Sequence, residues 1–212
     1  MALDTYANLQ TEIASWLRRD DLTAEIPSFI ALAQAQMNRK LRCRRMMARA
    51  TLSITGQIVA APADFLAPRS LRLTGTSSGP ATLEWVSDEQ MDTLLDSGDY
   101  TSGQPRHYTL EGGNFRFSPD PGSDGYTAEL SYYAAIPALS DSNPSNWVLA
   151  THPDAYLYGA LTQSAPYLKA DERLSTWSTI YRQIVDALNA TNRGEGGRLM
   201  PIPSTLRSGG TP

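Results

Sequence analysis

Cysteine occurs once in the 212 residues, at Cys43, and histidine twice, at His107 and His152. A single cysteine excludes an internal disulfide framework and argues against a cysteine-based zinc site. Arginines flank Cys43, yet no catalytic companion accompanies it, and it reads as a small helix residue. No stretch approaches the roughly 18 consecutive apolar residues of a membrane span. The start, MALDTYANLQ, lacks a basic segment followed by an apolar run, so the expectation is a soluble chain, without a secretory leader, made in a cytoplasm. Nucleotide signatures are missing: there is no GxGxxG, no P-loop with its Lys and Ser or Thr, and no GxSxG elbow. Cationic excess is missing too, and a net charge of -4 argues against a general nucleic-acid binder.

Hydrophobic residues make up 41% and charged residues 19%, enough for a real core in one ordinary domain or two small ones. Asp4 or Thr5 can cap a first helix, on which Leu9, Ile13, Trp16 and Leu17 share a face. Pro27 suits the first turn of a second helix whose stripe is Ile26, Ile30, Ala33, Met37 and Leu41. From about residue 50 the pattern turns to strands: ATLSI, RSLRLT, ATLEWV, RHYTL, NFRFS and TAELSYY, separated by turn signals. SDEQMDTLLD interrupts them as a short helix, with Ser87 and Gln90 at capping-box spacing. Gly112–Gly113 reads as a hairpin turn. Residues 137–150 read as a loop. Thr151 can then cap a helix with Pro153 in its first turn, and Pro166 should end it. Asp171 can cap a last helix with the stripe Leu174, Trp177, Tyr181, Ile184 and Leu188.

The expected fold class is therefore α+β. Both chain ends, 1–49 and 152–192, form a helical core that carries a β-rich insertion, 50–151, and an extended C-terminal arm, 193–212. The apolar stripes of the two ends need partners, and the economical solution packs them on each other. The arm, rich in Gly, Pro and Ser, cannot by itself bury enough apolar surface to offset its ordering entropy. Leu199, Met200, Ile202 and Leu206 are its apolar anchors, and the expectation is that it orders by docking on a partner.

Chemistry has few candidates. His152 and Asp154 stand two apart at a helix start and point different ways. Asp88 with Glu89, or Asp96 with Asp99, are carboxylates near in sequence with no sign of convergence. Asp120-Pro121-Gly122-Ser123-Asp124-Gly125 lacks the downstream Glu of a calcium loop and reads as a turn. No catalytic residue, cofactor or metal is expected. One charge pattern stands out. From Ile26 to Ala63 there is no acidic residue, while Arg39, Lys40, Arg42, Arg44, Arg45 and Arg49 fall in that stretch. The end of a helix accommodates a few cations. This many without a compensating carboxylate suggests an acidic partner surface or passing DNA, with a protein partner preferred.

Three groups of segments carry a resemblance. They are LDTYANLQTEIASWLRRDDL with IPSFIALAQAQMNRKLRCRRM; GQPRHYTLEGGNFRFSPDP with TAELSYYAAIPALSDSNPSNWVLATHPDAYLYGALTQSAPYL; and DERLSTWSTIYRQIVDALN. In this order the chain resembles the adaptor proteins of the bacteriophage head-to-tail connector, mostly known from short-tailed phages. The resemblance implies a helical core with a β insertion and a structural protein rather than an enzyme. It implies a ring of twelve copies at the portal vertex of the virion, between the portal protein and the tail or nozzle protein. Genomic DNA would pass through its channel without sequence-specific binding, and no membrane is involved. Two other readings stand beside it. One is another tail or baseplate structural protein. The other is a glycan-binding or cell-wall hydrolytic module, for which Trp85, Tyr100, Tyr132 and Tyr133 could stack on sugars.

Overall fold

A computed structural model describes residues 3–74, 79–96, 102–122, 124–168 and 172–196. In chain order its main elements are α1 (Tyr6–Leu17), α2 (Ile26–Lys40), β1 (Met47–Ile54), β2 (Ile58–Ala60), β3 (Phe65–Thr74), β4 (Ala81–Thr82), β5 (Glu84–Trp85), α3 (Asp88–Asp96), β6 (His107–Glu111), β7 (Asn114–Ser118), β8 (Tyr126–Ala134), α4 (Trp147–Thr151), α5 (Pro153–Gln163) and α6 (Arg173–Gly196). The fold is α+β, with helices at both chain ends and strands between. Contacts divide it into two compact units. Described residues up to Arg44 and from Pro137 onward form one, and Arg45–Ile136 the other.

In the helical unit Thr5 caps α1, its hydroxyl accepting from the Asn8 amide at 3.3 Å. Pro27 lies in the first turn of α2, where its missing N–H costs nothing. The stripe Ile26, Ile30, Ala33, Met37 and Leu41 is buried throughout. Each large side chain in it contributes roughly 1.5–3 kcal/mol by leaving water. The two ends of the chain meet through α5, which packs against α1, α2, α4 and α6. Gly159 allows the closest approach. A Cβ there would lie 3.0 Å from Ala33 Cβ on α2 and 3.1 Å from Tyr181 Cε2 on α6.

Two local expectations for this unit change. The end of the segment 137–150 is not loop, because Trp147–Thr151 form α4. Asn146 makes this possible: its Oδ1 accepts from the amides of Val148 (3.1 Å) and Leu149 (3.0 Å), and both of those side chains are buried. Thr151 consequently ends α4 instead of capping α5, and its hydroxyl donates to the Trp147 carbonyl at 2.7 Å. Asp171, expected to cap the last helix, lies outside the described residues.

The β unit holds two four-stranded sheets, in the orders β1-β8-β3-β4 and β2-β7-β6-β5. Alternating residues of both supply one core: Leu52, Ile54, Leu71, Leu73, Ala128, Leu130 and Tyr132 from the first sheet, Tyr108, Phe115 and Phe117 from the second. Gly112 and Gly113 turn the β6–β7 hairpin with φ of 56° and 81°, left-handed values that suit glycine at both positions. The capping box on α3 is complete: the Gln90 amide donates to Ser87 Oγ (3.3 Å) and the Ser87 amide to Gln90 Oε1 (3.1 Å). The short strand β2 had no signal in the sequence; it exists by pairing with β7.

Two buried tyrosines of the helical unit make a matched test. The Tyr156 hydroxyl receives Asn146 Nδ2 at 2.7 Å and donates to Gln34 Oε1 at 3.0 Å. The Tyr181 hydroxyl is buried with no hydrogen-bond partner among the described residues. Burial pushes the Tyr181 phenol up to about 12, against a smaller opposing pull from Arg39. Burial likewise raises Tyr156 well above the ordinary phenol range. Unfolded tyrosines ionise near pH 10 while these stay neutral in the fold. These phenols therefore bring no titration penalty below about pH 10, and above it stability falls as the unfolded chain ionises first, up to about pH 12 for Tyr181 and higher for Tyr156. Tyr156→Phe is expected to lower the unfolding free energy by about 1–2 kcal/mol at pH 7. Tyr181→Phe is expected to change it by less than about 0.5 kcal/mol, or to raise it, because it deletes an unpaired hydroxyl. Tyr181→Phe should also flatten the loss of stability between pH 10 and 12. Urea unfolding at pH 7 and between pH 10 and 12 measures all three.

Candidate functional site

The outward face of the sheet β1-β8-β3-β4 carries a groove of about 430 Å³. It is lined by Met47, Arg49, Arg69, Ser70, Arg72, Thr82, Glu129 and Ser131. Strand register brings these residues together from distant parts of the sequence. Thr51 and Arg72 both lie opposite Glu129, one on each side of β8, and Arg49 lies opposite Ser131. Arg49 Nη1 reaches Glu129 Oε1 at 2.7 Å, and Arg72 Nη2 stands 3.7 Å from Oε2. Arg69 arrives differently. The β3–β8 register shifts between Pro68 and Ser70, so strict alternation, which would turn Arg69 to the side of Leu71, does not hold. Its Nη1 instead donates to Met47 Sδ at 3.2 Å, and no carboxylate pairs with it among the described residues. Three guanidinium groups and one carboxylate thus line the groove, two of the guanidiniums in contact with that carboxylate, together with Ser70, Thr82 and Ser131.

The basic segment expected from the sequence spans the boundary between the two units. Arg39 and Lys40 occupy the last turn of α2, where they suit the negative end of the helix. Lys40 Nζ lies 6.0 Å from the centre of the Tyr181 ring. Arg42 closes the same helix, with Nη1 donating to the carbonyls of Asn38 (2.8 Å) and Leu41 (2.6 Å) and its amide donating to Asn189 Oδ1 (3.0 Å). Arg44 is the last residue of the helical unit before the chain enters the β unit, to which Arg45 and Arg49 belong. The anchors of the arm, Leu199, Met200, Ile202 and Leu206, lie outside the described residues.

A family model described as SU10 adaptor protein matches residues 4–203. The chain belongs to that family. It is a structural adaptor of a bacteriophage, a virion component that works through contacts with other virion proteins, and the resemblance read from its segments holds. No curated protein matches the chain.

Several other sequence candidates of this adaptor can be placed, while Asp99 lies outside the described residues. Cys43 is buried. His107 Nε2 stands 3.9 Å from Glu84. Asp88 accepts from the Thr109 hydroxyl at 2.6 Å, and Asp92 pairs with Arg116 at 2.7 Å. Asp120 accepts from the Gly122 amide at 2.9 Å, which makes a turn of residues 120–122, while Ser123 lies outside the described residues. Among the described residues no group of three His, Cys, Asp or Glu is placed to hold a metal. No described helix is long and apolar enough to cross a membrane. The aromatics considered for glycan stacking are divided. Tyr132 is in the core, its hydroxyl donating to Asp64 at 2.9 Å; Trp85 is exposed on the other sheet; Tyr100 lies outside the described residues.

The Arg49–Glu129 pair is well exposed on the arginine side, 76%, and partly on the glutamate side, 32%. Such pairs contribute little to stability and are screened by salt. Glu129→Gln is therefore expected to cost under about 1 kcal/mol at low ionic strength and nothing measurable at about 1 M salt. Thermal melts of both proteins at the two salt concentrations test this, and a large salt-independent loss would mean that the groove is part of the fold's support.

Proposed function

We propose that this adaptor forms a ring at the head-to-tail junction, joins the portal to the tail or nozzle, and extends the channel through which the genome passes. The family match over residues 4–203, which takes in both units, is the observation that carries this reading. Twelve copies would match the ring implied by the family resemblance. DNA in the channel would be met without sequence readout, and the adaptor's work would be binding alone, without catalysis. The absence of acidic residues from Ile26 to Ala63 supports a role for Arg39, Lys40, Arg44, Arg45 and Arg49 toward acidic groups of a partner or toward the channel. Arg42, which closes α2, would serve the fold first.

The C-terminal arm would dock on the portal, with the adjacent adaptor subunit as the second choice. Leu199, Met200, Ile202 and Leu206 would enter apolar grooves, and Pro201 and Pro203 would keep the segment extended and lower the entropy lost on docking.

Light scattering of the pure chain is expected to give a monomer or weak oligomer, and mixing it with the portal of the same phage should give a closed ring. A stable ring without portal would favour a tail or baseplate part. An image of the particle with the chain elsewhere than between capsid and tail would overturn the reading. Truncation after Gly196 leaves α6 whole. It should change the melting temperature of the free chain by no more than about 2 °C, while retention on immobilised portal falls at least about tenfold. Undiminished retention would remove the docking role of the arm.

A further inference from the structure

We propose that neighbouring copies of the adaptor join through their β units, the arginine groove of one copy receiving the carboxylates of α3 from the next. The inference rests on the ring reading above and names one of its interfaces.

The two surfaces lie on opposite faces of one sandwich. Arg49, Arg69 and Arg72 stand on the outer face of the sheet β1-β8-β3-β4. Helix α3 covers the outer face of the other sheet. Tyr108 on β6 points into the shared core, while the next residue, Thr109, is buried at 1% beneath α3 and bonded to Asp88. Arg116 on β7, between the core residues Phe115 and Phe117, reaches out to Asp92. Met91 fixes the helix to the sheet. The sequence of α3, DEQMDTLLD, holds no cation, and Glu89, Asp92 and Asp96 follow one another at the i+3 and i+4 spacing that puts them on one side of a helix. All three are exposed. Asp92 is held by Arg116, so Glu89 and Asp96 are the carboxylates to be received.

The groove is suited to them. Glu129 holds Arg49 at 2.7 Å and meets Arg72 only at 3.7 Å, while Arg69 has no carboxylate partner among the described residues. Guanidinium forks bind carboxylates in two-point fashion, and Ser70, Thr82 and Ser131 add hydroxyl donors. Duplex DNA fits less well. Phosphate tracking uses a row of cations, whereas this face holds a glutamate among its arginines that already contacts two of them. A contact between two different faces of the same chain cannot end at a dimer. It repeats until it closes into a ring or continues as a filament, as a ring-forming part requires.

The test is a charge exchange. One variant carries Arg69→Glu and Arg72→Glu, the other Glu89→Lys and Asp96→Lys. Each alone opposes like charges at every contact. Mixed in equal amounts, the two can alternate with every contact restored. Sedimentation at low ionic strength should show self-association at least about tenfold weaker for each variant alone and near the wild-type value for the mixture. Circular dichroism melts identify any variant that does not fold. In that case an Arg72→Cys, Glu89→Cys double variant under mild oxidation decides: a ladder of covalent multimers supports the contact, and monomer alone overturns it. Wild-type association by each single variant, or no recovery in the mixture of folded variants, also overturns it. So does a wild-type chain that shifts duplex DNA through these arginines and does not self-associate. If portal-bound rings form normally from the variants, this interface is wrong and the ring stands. If wild type forms no ring on portal, the ring reading itself fails.

Discussion

Helix α5 is the member on which the helical unit depends, because it is buried on nearly every side. Ala155, Tyr156, Leu157, Gly159, Ala160 and Leu161 are all inside, and α1, α2, α4 and α6 surround it. A helix enclosed in this way has little room for bulk and no water for its polar groups. Gly159 answers the first constraint, since any side chain would press on Ala33 and Tyr181. The second is answered at Tyr156, whose hydroxyl is held between Asn146 and Gln34. Asn146 is at once the cap of α4, the partner of Tyr156 and a donor to the Pro137 carbonyl at 2.8 Å. One amide side chain therefore ties a short helix, the central helix and the incoming loop together. Polar groups buried in this manner favour one arrangement over others, because each alternative leaves some of them unpaired.

The β unit solves a different problem. Its core is filled from two sheets by alternating residues, which leaves the outer faces free to differ. One outer face is covered by α3, through Met91 against the sheet and Asp88 on Thr109. The other is left with arginines, hydroxyls and one glutamate. Two unlike outer faces would suit the ring proposed above, in which each copy presents one surface backward and another forward.

The amino-acid sequence alone determined the class of the fold and most of its elements. Periodicity is a local property, and where burial follows it the reading holds. The stripe from Ile26 to Leu41, the Ser87–Gln90 capping box and the Gly112–Gly113 turn are each set by residues within a turn or two of one another. The family was legible from segments spread along the chain, and its model matches residues 4–203. Tertiary structure decided what depends on partners distant in sequence. β2 is a strand because β7 pairs with it, and α4 is a helix because Asn146 and the buried pair Val148 and Leu149 favour it over the loop suggested by the Ser, Asn and Pro residues before it. The basic run read as one cluster is divided between two units, with Arg42 spent on closing α2. The groove was hidden for the converse reason. Arg49, Arg69, Arg72 and Glu129 converge only through the register of β1, β8 and β3, and Arg69 only through a register shift that alternation cannot foresee. Hydrogen-bonded pairing between strands, and not the spacing along any one of them, sets which charges share a face.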